Sequence, residues 1–188
     1  MCIRDSFGCV AVLEADTAYL HINPIPEPII LSSLDASCPP LVTTVSNGTR
    51  ADHSGQCTWD YGNGLISNRC EAQELTYTEA GTYTLRLTVR TPQGCEDSTK
   101  KEVMVHPFPI ADFKVDGKPT IIESDIKVRD QSSLAVSHYY TTTFGKETDD
   151  AEPRFQLPYQ DTGTYYITQV VETQFGCMDT ITKRVFVQ

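Results

Sequence analysis

The chain of 188 residues has little of what a helical bundle, a membrane span or a nucleic-acid surface would need. No stretch carries a sustained apolar period of 3.6, so amphipathic helices are excluded as the organising element. The longest apolar runs are too short to cross a bilayer as a helix. Lys and Arg number only 15 against 25 acidic residues, and the net charge of −10 disfavours nucleic acid and anionic membranes. Tryptophan occurs once, at Trp59. Catalytic signatures are missing as well. No serine sits in a Gly-x-Ser-x-Gly elbow. His21, His53, His106 and His138 are scattered, with no His-Glu-x-x-His or Cys-x-x-Cys set, so no zinc site is expected. His21 and His106 lie close to Pro-x-Pro steps, which points to a polar contact at a domain joint instead.

What is present is β-forming. Thr, Val, Ile and Tyr are abundant, punctuated by 11 Gly and 11 Pro, and the expectation is an all-β chain. It is also a repeat. Gly-Cys recurs at Gly8-Cys9, Gly94-Cys95 and Gly176-Cys177, with the cysteines 86 and 82 residues apart. Gly81-Thr82-Tyr83 returns as Gly163-Thr164-Tyr165, and the strand ends Leu20/Ile22, Val103/Val105 and Val185/Val187 match. The phase predicts three pieces. Residues 1–25 are a non-native start plus terminal strands of a truncated domain, 26–107 a complete domain and 108–188 a second one. Pro-x-Pro at Pro24-Ile25-Pro26 and Pro107-Phe108-Pro109 makes short, stiff joints.

Seven cysteines in a thin-cored β chain point to an oxidising, extracellular setting. No apolar signal segment follows Met1–Ser6, so the expectation is a piece of a longer secreted chain behind a foreign start.

The repeat is built around Trp59-Asp60-Tyr61-Gly62-Asn63-Gly64, which ends an alternating strand in a tight turn. About twenty residues later Tyr83 follows Gly81 at the head of the strand Tyr83–Val89. A buried Trp on one strand and a tyrosine corner on another is the logic of an immunoglobulin-like sandwich. The box resembles the Trp-Asp-Phe-Gly-Asp-Gly box of PKD (polycystic kidney disease) domains, and with Gly81, Tyr83, Gly163 and Tyr165 it identifies tandem PKD-type β-sandwiches. Gly62 and Gly64 are expected to supply positive φ in a turn rather than a phosphate cradle, and Asp60 to accept from local backbone. Asn47-Gly48-Thr49 fits a glycosylation sequon, but Asn-Gly is also a turn signal and is read as one.

Strands are expected near 29–32, 42–46, 56–61, 74–78, 82–91 and 98–106. In the second domain they fall near 110–115, 125–130, 138–144, 154–157, 164–173 and 180–187. Four cysteines of the first domain allow three pairings. Cys57–Cys70, closing a short hairpin, and Cys38–Cys95 are favoured, in keeping with secreted PKD-like relatives. Cys177 would have no partner, because Thr120 stands near the position of Cys38. In the second domain Thr142-Thr143-Phe144-Gly145 is aligned with the box, so Thr142 stands in the tryptophan slot and Tyr140, Phe144 or Phe155 must repack into the space. Gln169 replaces Leu87 and is expected either hydrogen-bonded or turned out at a bulge.

Functional candidates are few. Glu147, Asp149, Asp150 and Glu152 make an acidic loop that could hold calcium, as some PKD-like relatives do, or be a solvated cluster. Apart from this, no cofactor is expected. Tyr139 or Tyr140, Tyr159 and Tyr166 could face out, with Tyr140 and Tyr166 the candidate ligand contacts. The resemblance implies a non-enzymatic extracellular segment of a large secreted or surface protein, used for adhesion or spacing. It would contact neighbouring PKD-like domains, an extracellular protein or a polysaccharide. The alternative is an ancillary carbohydrate-binding module of a secreted hydrolase.

Overall fold

The computed structural model describes residues 23, 25–50, 55–116, 125–156 and 162–187. The readings of residues 1–22, Cys9, His21, His53, Thr120 and Tyr159 therefore lie outside the described residues. The chain divides into two compact units, Met1–Val105 and His106–Gln188. Among the described residues every regular element is a strand.

In the first unit, β1 (Ile30–Ser32), β3 (Leu41–Asn47) and β6 (Gln73–Tyr77) form one sheet in the order β1-β3-β6. The second sheet runs β2-β8-β7-β4-β5, from β2 (Ala36–Ser37), β4 (Gln56–Asp60), β5 (Ile66–Ser67), β7 (Gly81–Arg90) and β8 (Glu96–Val105). Period-two alternation aims one face of each sheet inward. Leu41, Val45, Leu75 and Tyr77 thus meet Trp59, Leu85, Leu87, Val89, Val103 and Val105 in one core. Trp59 is fully buried and stacks on Tyr61 at 5.9 Å.

The six strands of three residues or more fall where the alternation predicts them. The two-residue strands β2 and β5 have too little sequence to show a period, and they went unpredicted.

The second unit repeats the plan. β9 (Phe113–Asp116), β10 (Asp125–Asp130) and β13 (Arg154–Gln156) pair as β13-β10-β9. The facing sheet is β12-β11-β14-β15, from β11 (Ser137–Thr142), β12 (Glu147–Thr148), β14 (Gly163–Glu172) and β15 (Met178–Val187). Phe113, Ile126, Val128, Tyr140, Phe155, Ile167 and Val185 fill its core.

Register corrects the alignment of the second box. Trp59 pairs with Leu87, and the residue facing the matching Gln169 is Tyr140, not Thr142. The turn agrees: Tyr61 N donates to Leu65 O at 3.1 Å, and Thr142 N donates to Lys146 O at 2.9 Å. Gly145, at φ 77°, therefore stands where Gly64 stands at φ 86°. The expected alignment was two residues out of step. A two-residue slip preserves strand face, so patterning could not detect it. Tyr140 occupies the tryptophan slot directly, fully buried, with Phe113 edge-on at 5.9 Å.

Candidate functional site

The first box is a structural device. Asp60 Oδ1 accepts from Gly62 N at 2.9 Å, as an Asx turn requires. Gly62 adopts φ +71°, and a Cβ there would lie 2.8 Å from both the N and O of Thr84. No side chain fits this approach of turn to strand. Tyr83 OH donates to Glu79 O at 2.9 Å, closing the tyrosine corner, and its ring lies 4.3 Å from Tyr77. Tyr77 OH donates to Tyr61 O at 2.8 Å, and burial, with Tyr61, Tyr83 and Asp60 nearby, pushes its phenol up to about 12.

Cys57 and Cys70 form the expected disulfide, with Cα atoms 5.3 Å apart. The expected Cys38–Cys95 bridge does not form. Both are disulfide-bonded, but not to each other, and Cys177 is disulfide-bonded rather than partnerless. Topology gives the reason. β2 pairs in parallel with the end of β8, Ser37 facing Val105, so Cys38 follows at that end. Cys95 lies beyond the Arg90–Glu96 pair at the other end of the same ten-residue strand. That is roughly 30 Å away, whereas bonded cysteines keep Cα atoms within about 7 Å.

Asn47 is not a free acceptor for a glycan. Its Oδ1 receives both the amide and the hydroxyl of Thr49, and its Nδ2 donates to Cys57 Sγ at 3.3 Å.

The second unit carries a polar cluster in the matching place. Asp130 plays the part of Asn47, with its Oδ1 accepting from Ser132 N at 3.1 Å and from the Ser132 hydroxyl. His138 takes the register position of Cys57, facing Val171 as Cys57 faces Val89. Gln169, fully buried and hydrogen-bonded, donates through Nε2 to Asp130 Oδ1 at 2.6 Å and to Tyr140 OH at 2.8 Å. Burial pushes the Asp130 carboxyl up, but the Ser132 and Gln169 hydrogen bonds and nearby His138 outweigh it and hold the group below its ordinary value. Burial, with the Asp130 charge adding to it, pushes the Tyr140 phenol up to about 12.

Ser132, His138 and Asp130 invite comparison with a nucleophilic triad, and the geometry rejects it. Ser132 Oγ and Asp130 Oδ2 both lie against the same ring nitrogen, His138 Nδ1, at 3.5 and 3.6 Å. A triad needs opposite ring nitrogens for nucleophile and carboxylate, and the Ser132 hydroxyl is already spent on Asp130.

The acidic loop runs from Glu147 in β12 through Asp149 and Asp150 to Glu152. Among the described residues no three His, Cys, Asp or Glu side chains converge as a metal ion would need. Asp150 Oδ1 accepts from Glu152 N at 3.1 Å, and Glu147 accepts from the Tyr139 hydroxyl. Beside them is a cleft of about 440 Å³ whose lining includes the cations Lys146 and Arg154.

The tyrosine candidates separate cleanly. Tyr140 points inward and contacts no solvent, so it is not a ligand contact; alternation along β11 turns its neighbour Tyr139 outward instead. Tyr166 is exposed, as expected. His106 stacks on Phe175 with ring centroids 3.8 Å apart.

Comparison with known proteins follows the same lines. Residues 22–106 match the family described as PKD domain. Among solved structures, the PKD1 domain of Vibrio anguillarum Epp is 28% identical, covering 45% of this chain and 96% of that one at a TM-score of 0.38. The PKD1 domain of the Vibrio cholerae metalloprotease PrtV is 24% identical, covering 45% and 100%, also at 0.38. Bacteroides ovatus SGBP-B, solved with a mixed-linkage heptasaccharide, is 17% identical over 88% of this chain and 48% of that one, at 0.31. No curated protein matches the chain. The segment 22–106, which holds the Trp59–Gly64 box and the Tyr83 corner, is the part of the chain that matches the PKD domain family.

Proposed function

We propose that the chain is a non-enzymatic, extracellular adhesion and spacing segment of a larger secreted or surface protein, making contacts with glycans or proteins. One observation carries the reading: among the described residues, the carboxylates and the Ser–His pair that most invite a catalytic role are committed to holding the fold. Asp60 closes a turn, Asp130 and Gln169 tie strands together, and the Ser132–His138–Asp130 set has the wrong geometry for a nucleophile. The PKD match and the oxidised cysteines support an extracellular setting. The test is a pair of assays on the whole chain. Binding to arrayed glycans and immobilised extracellular proteins should be measurable, and incubation with polysaccharide and peptide substrates should release nothing. Turnover that survives repurification would overturn the non-enzymatic reading.

A second reading, an ancillary carbohydrate-binding module of a secreted hydrolase, is favoured by the solvent-facing rings of Tyr139 and Tyr166. A hydrolase domain in the same polypeptide would select it over the spacer.

A further inference from the structure

The two units present the same sheet face to solvent with different chemistry. In the first, the outward positions facing one another across β7 and β8 are Thr84 with Glu102 and Thr82 with Met104, and β4 contributes Thr58 facing Thr88. In the second, the matching pairs are Tyr166 with Arg184, Thr164 with Phe186, and Tyr139 with Val170. Three aromatic rings therefore stand where the first unit has Thr58, Thr84 and Met104. They remain open to solvent, Tyr139 by 42%, Tyr166 by 44% and Phe186 by 54%.

We infer that this outer face of β11, β14 and β15 is a binding platform for an uncharged polysaccharide. The inference rests on the glycan-contact reading above and gives it a site. Planar rings offer the apolar, C–H-rich faces of pyranoses a surface on which to stack. Between the rings run threonine hydroxyls that can meet the sugar's own: Thr168 and Thr182 touch at 2.8 Å in the middle of the face. Tyr166 and Phe186 are diagonal neighbours across the β14–β15 ladder, a spacing of about 7–8 Å between backbone positions. Tyr139 is set further along, its orientation fixed by donating to Glu147.

Charge argues for an uncharged ligand. The face carries Arg184 and Glu147 in opposition, and the Arg184 guanidinium is already seated 4.3 Å from the Phe186 ring. A uronic-acid polymer would meet the Glu147 carboxylate and an Arg184 already engaged with Phe186, on a chain of net charge −10.

The test uses the full chain in pull-downs on insoluble cellulose, chitin, starch and xylan, with variants Tyr166→Ala and Phe186→Ala and the first-unit control Met104→Ala. All three sites are exposed, so melting temperatures should match the parent, which separates loss of binding from loss of fold. The expected result is retention on at least one polymer, weakened roughly tenfold or more by either aromatic variant and unchanged by Met104→Ala. Retention that ignores Tyr166→Ala and Phe186→Ala would overturn the site while leaving glycan contact elsewhere on the chain. Retention lost equally in the control would also overturn it. Failure of the parent on every polymer would overturn both the platform and the glycan reading, leaving protein contact.

Discussion

Gln169 is the most informative residue to change, because the first unit shows what should stand in its place. Leu87 holds that register position, so Gln169→Leu restores the residue the fold uses elsewhere. Polarity alone would predict a gain, since a buried amide is replaced by an apolar side chain. The structure predicts a loss. Gln169 Nε2 bridges Asp130 Oδ1 at 2.6 Å and Tyr140 OH at 2.8 Å, and leucine removes both bonds. A hydrogen bond to a charged group contributes about 1.5–3 kcal/mol and a neutral one about 0.5–1.5, while the added apolar contact returns about 1 kcal/mol. Leucine also removes Gln169 Oε1, a buried acceptor with no partner, which returns about 1 kcal/mol more. The net cost is about 1 kcal/mol, which for a unit of this size lowers the melting temperature by roughly 4–8 °C. Combining Gln169→Leu with Tyr140→Phe should cost less than the sum of the single changes by about 1 kcal/mol, because the leucine no longer leaves a phenol unpartnered. Differential scanning calorimetry of the four proteins measures this. If Gln169→Leu is as stable as the parent, or the two changes add, the bridge is not holding the second unit.

The same cluster sets a pH dependence. Asp130 is held below its ordinary carboxyl value in the fold, so its contribution is present above the unfolded value near 4 and is lost as pH falls through the lower folded one. Thermal melts between pH 7 and pH 2 should show an acid loss in the second unit that Asp130→Asn flattens, with lower stability at pH 7. Replacing Cys57 and Cys70 together by alanine opens a loop of sequence separation 13. It should cost the first unit about 3 kcal/mol, read as a lowered urea midpoint. Gly62→Ala combines φ +71° with a Cβ 2.8 Å from Thr84 backbone atoms. It should cost about 1–3 kcal/mol in equilibrium unfolding, whereas Gly64→Ala, with open space around its Cβ, should cost less.

Much of this fold is legible in the sequence because the physics is local. Tyr83, Leu85, Leu87 and Val89 read as one face by alternation alone, and Gly62 and Asp60 read as a turn by their chemistry. What could not be read was register between strands. The second box slipped by two residues because Gly145 follows an aromatic in Thr-Thr-Phe-Gly, and a two-residue slip keeps every side chain on its own face. The turn shared by the ends of β3 and β10 gives no help: Asn47-x-Thr49 recurs as Asp130-x-Ser132, 83 residues on, which is the spacing of the slipped alignment, whereas Trp59 and Tyr140 stand 81 apart. Cys38 and Cys95 looked like partners because both lie in turns, and only the parallel pairing of β2 with β8 shows them to be at opposite ends of one strand. Of the candidate ligand contacts, Tyr166 is on the surface while Tyr140 is core. The residue beside it, Tyr139, is the exposed one.

The central claim, a contact and spacing segment working outside the cell, is tested most directly by location. Source cultures would be separated into medium, protein released from intact cells by brief trypsin treatment, and lysate, with peptides of this chain quantified in each by mass spectrometry. The account predicts the chain in the medium or the surface-released fraction, with Cys57 and Cys70 recovered as a linked peptide pair. Recovery only in the lysate, with those cysteines as free thiols, would contradict it.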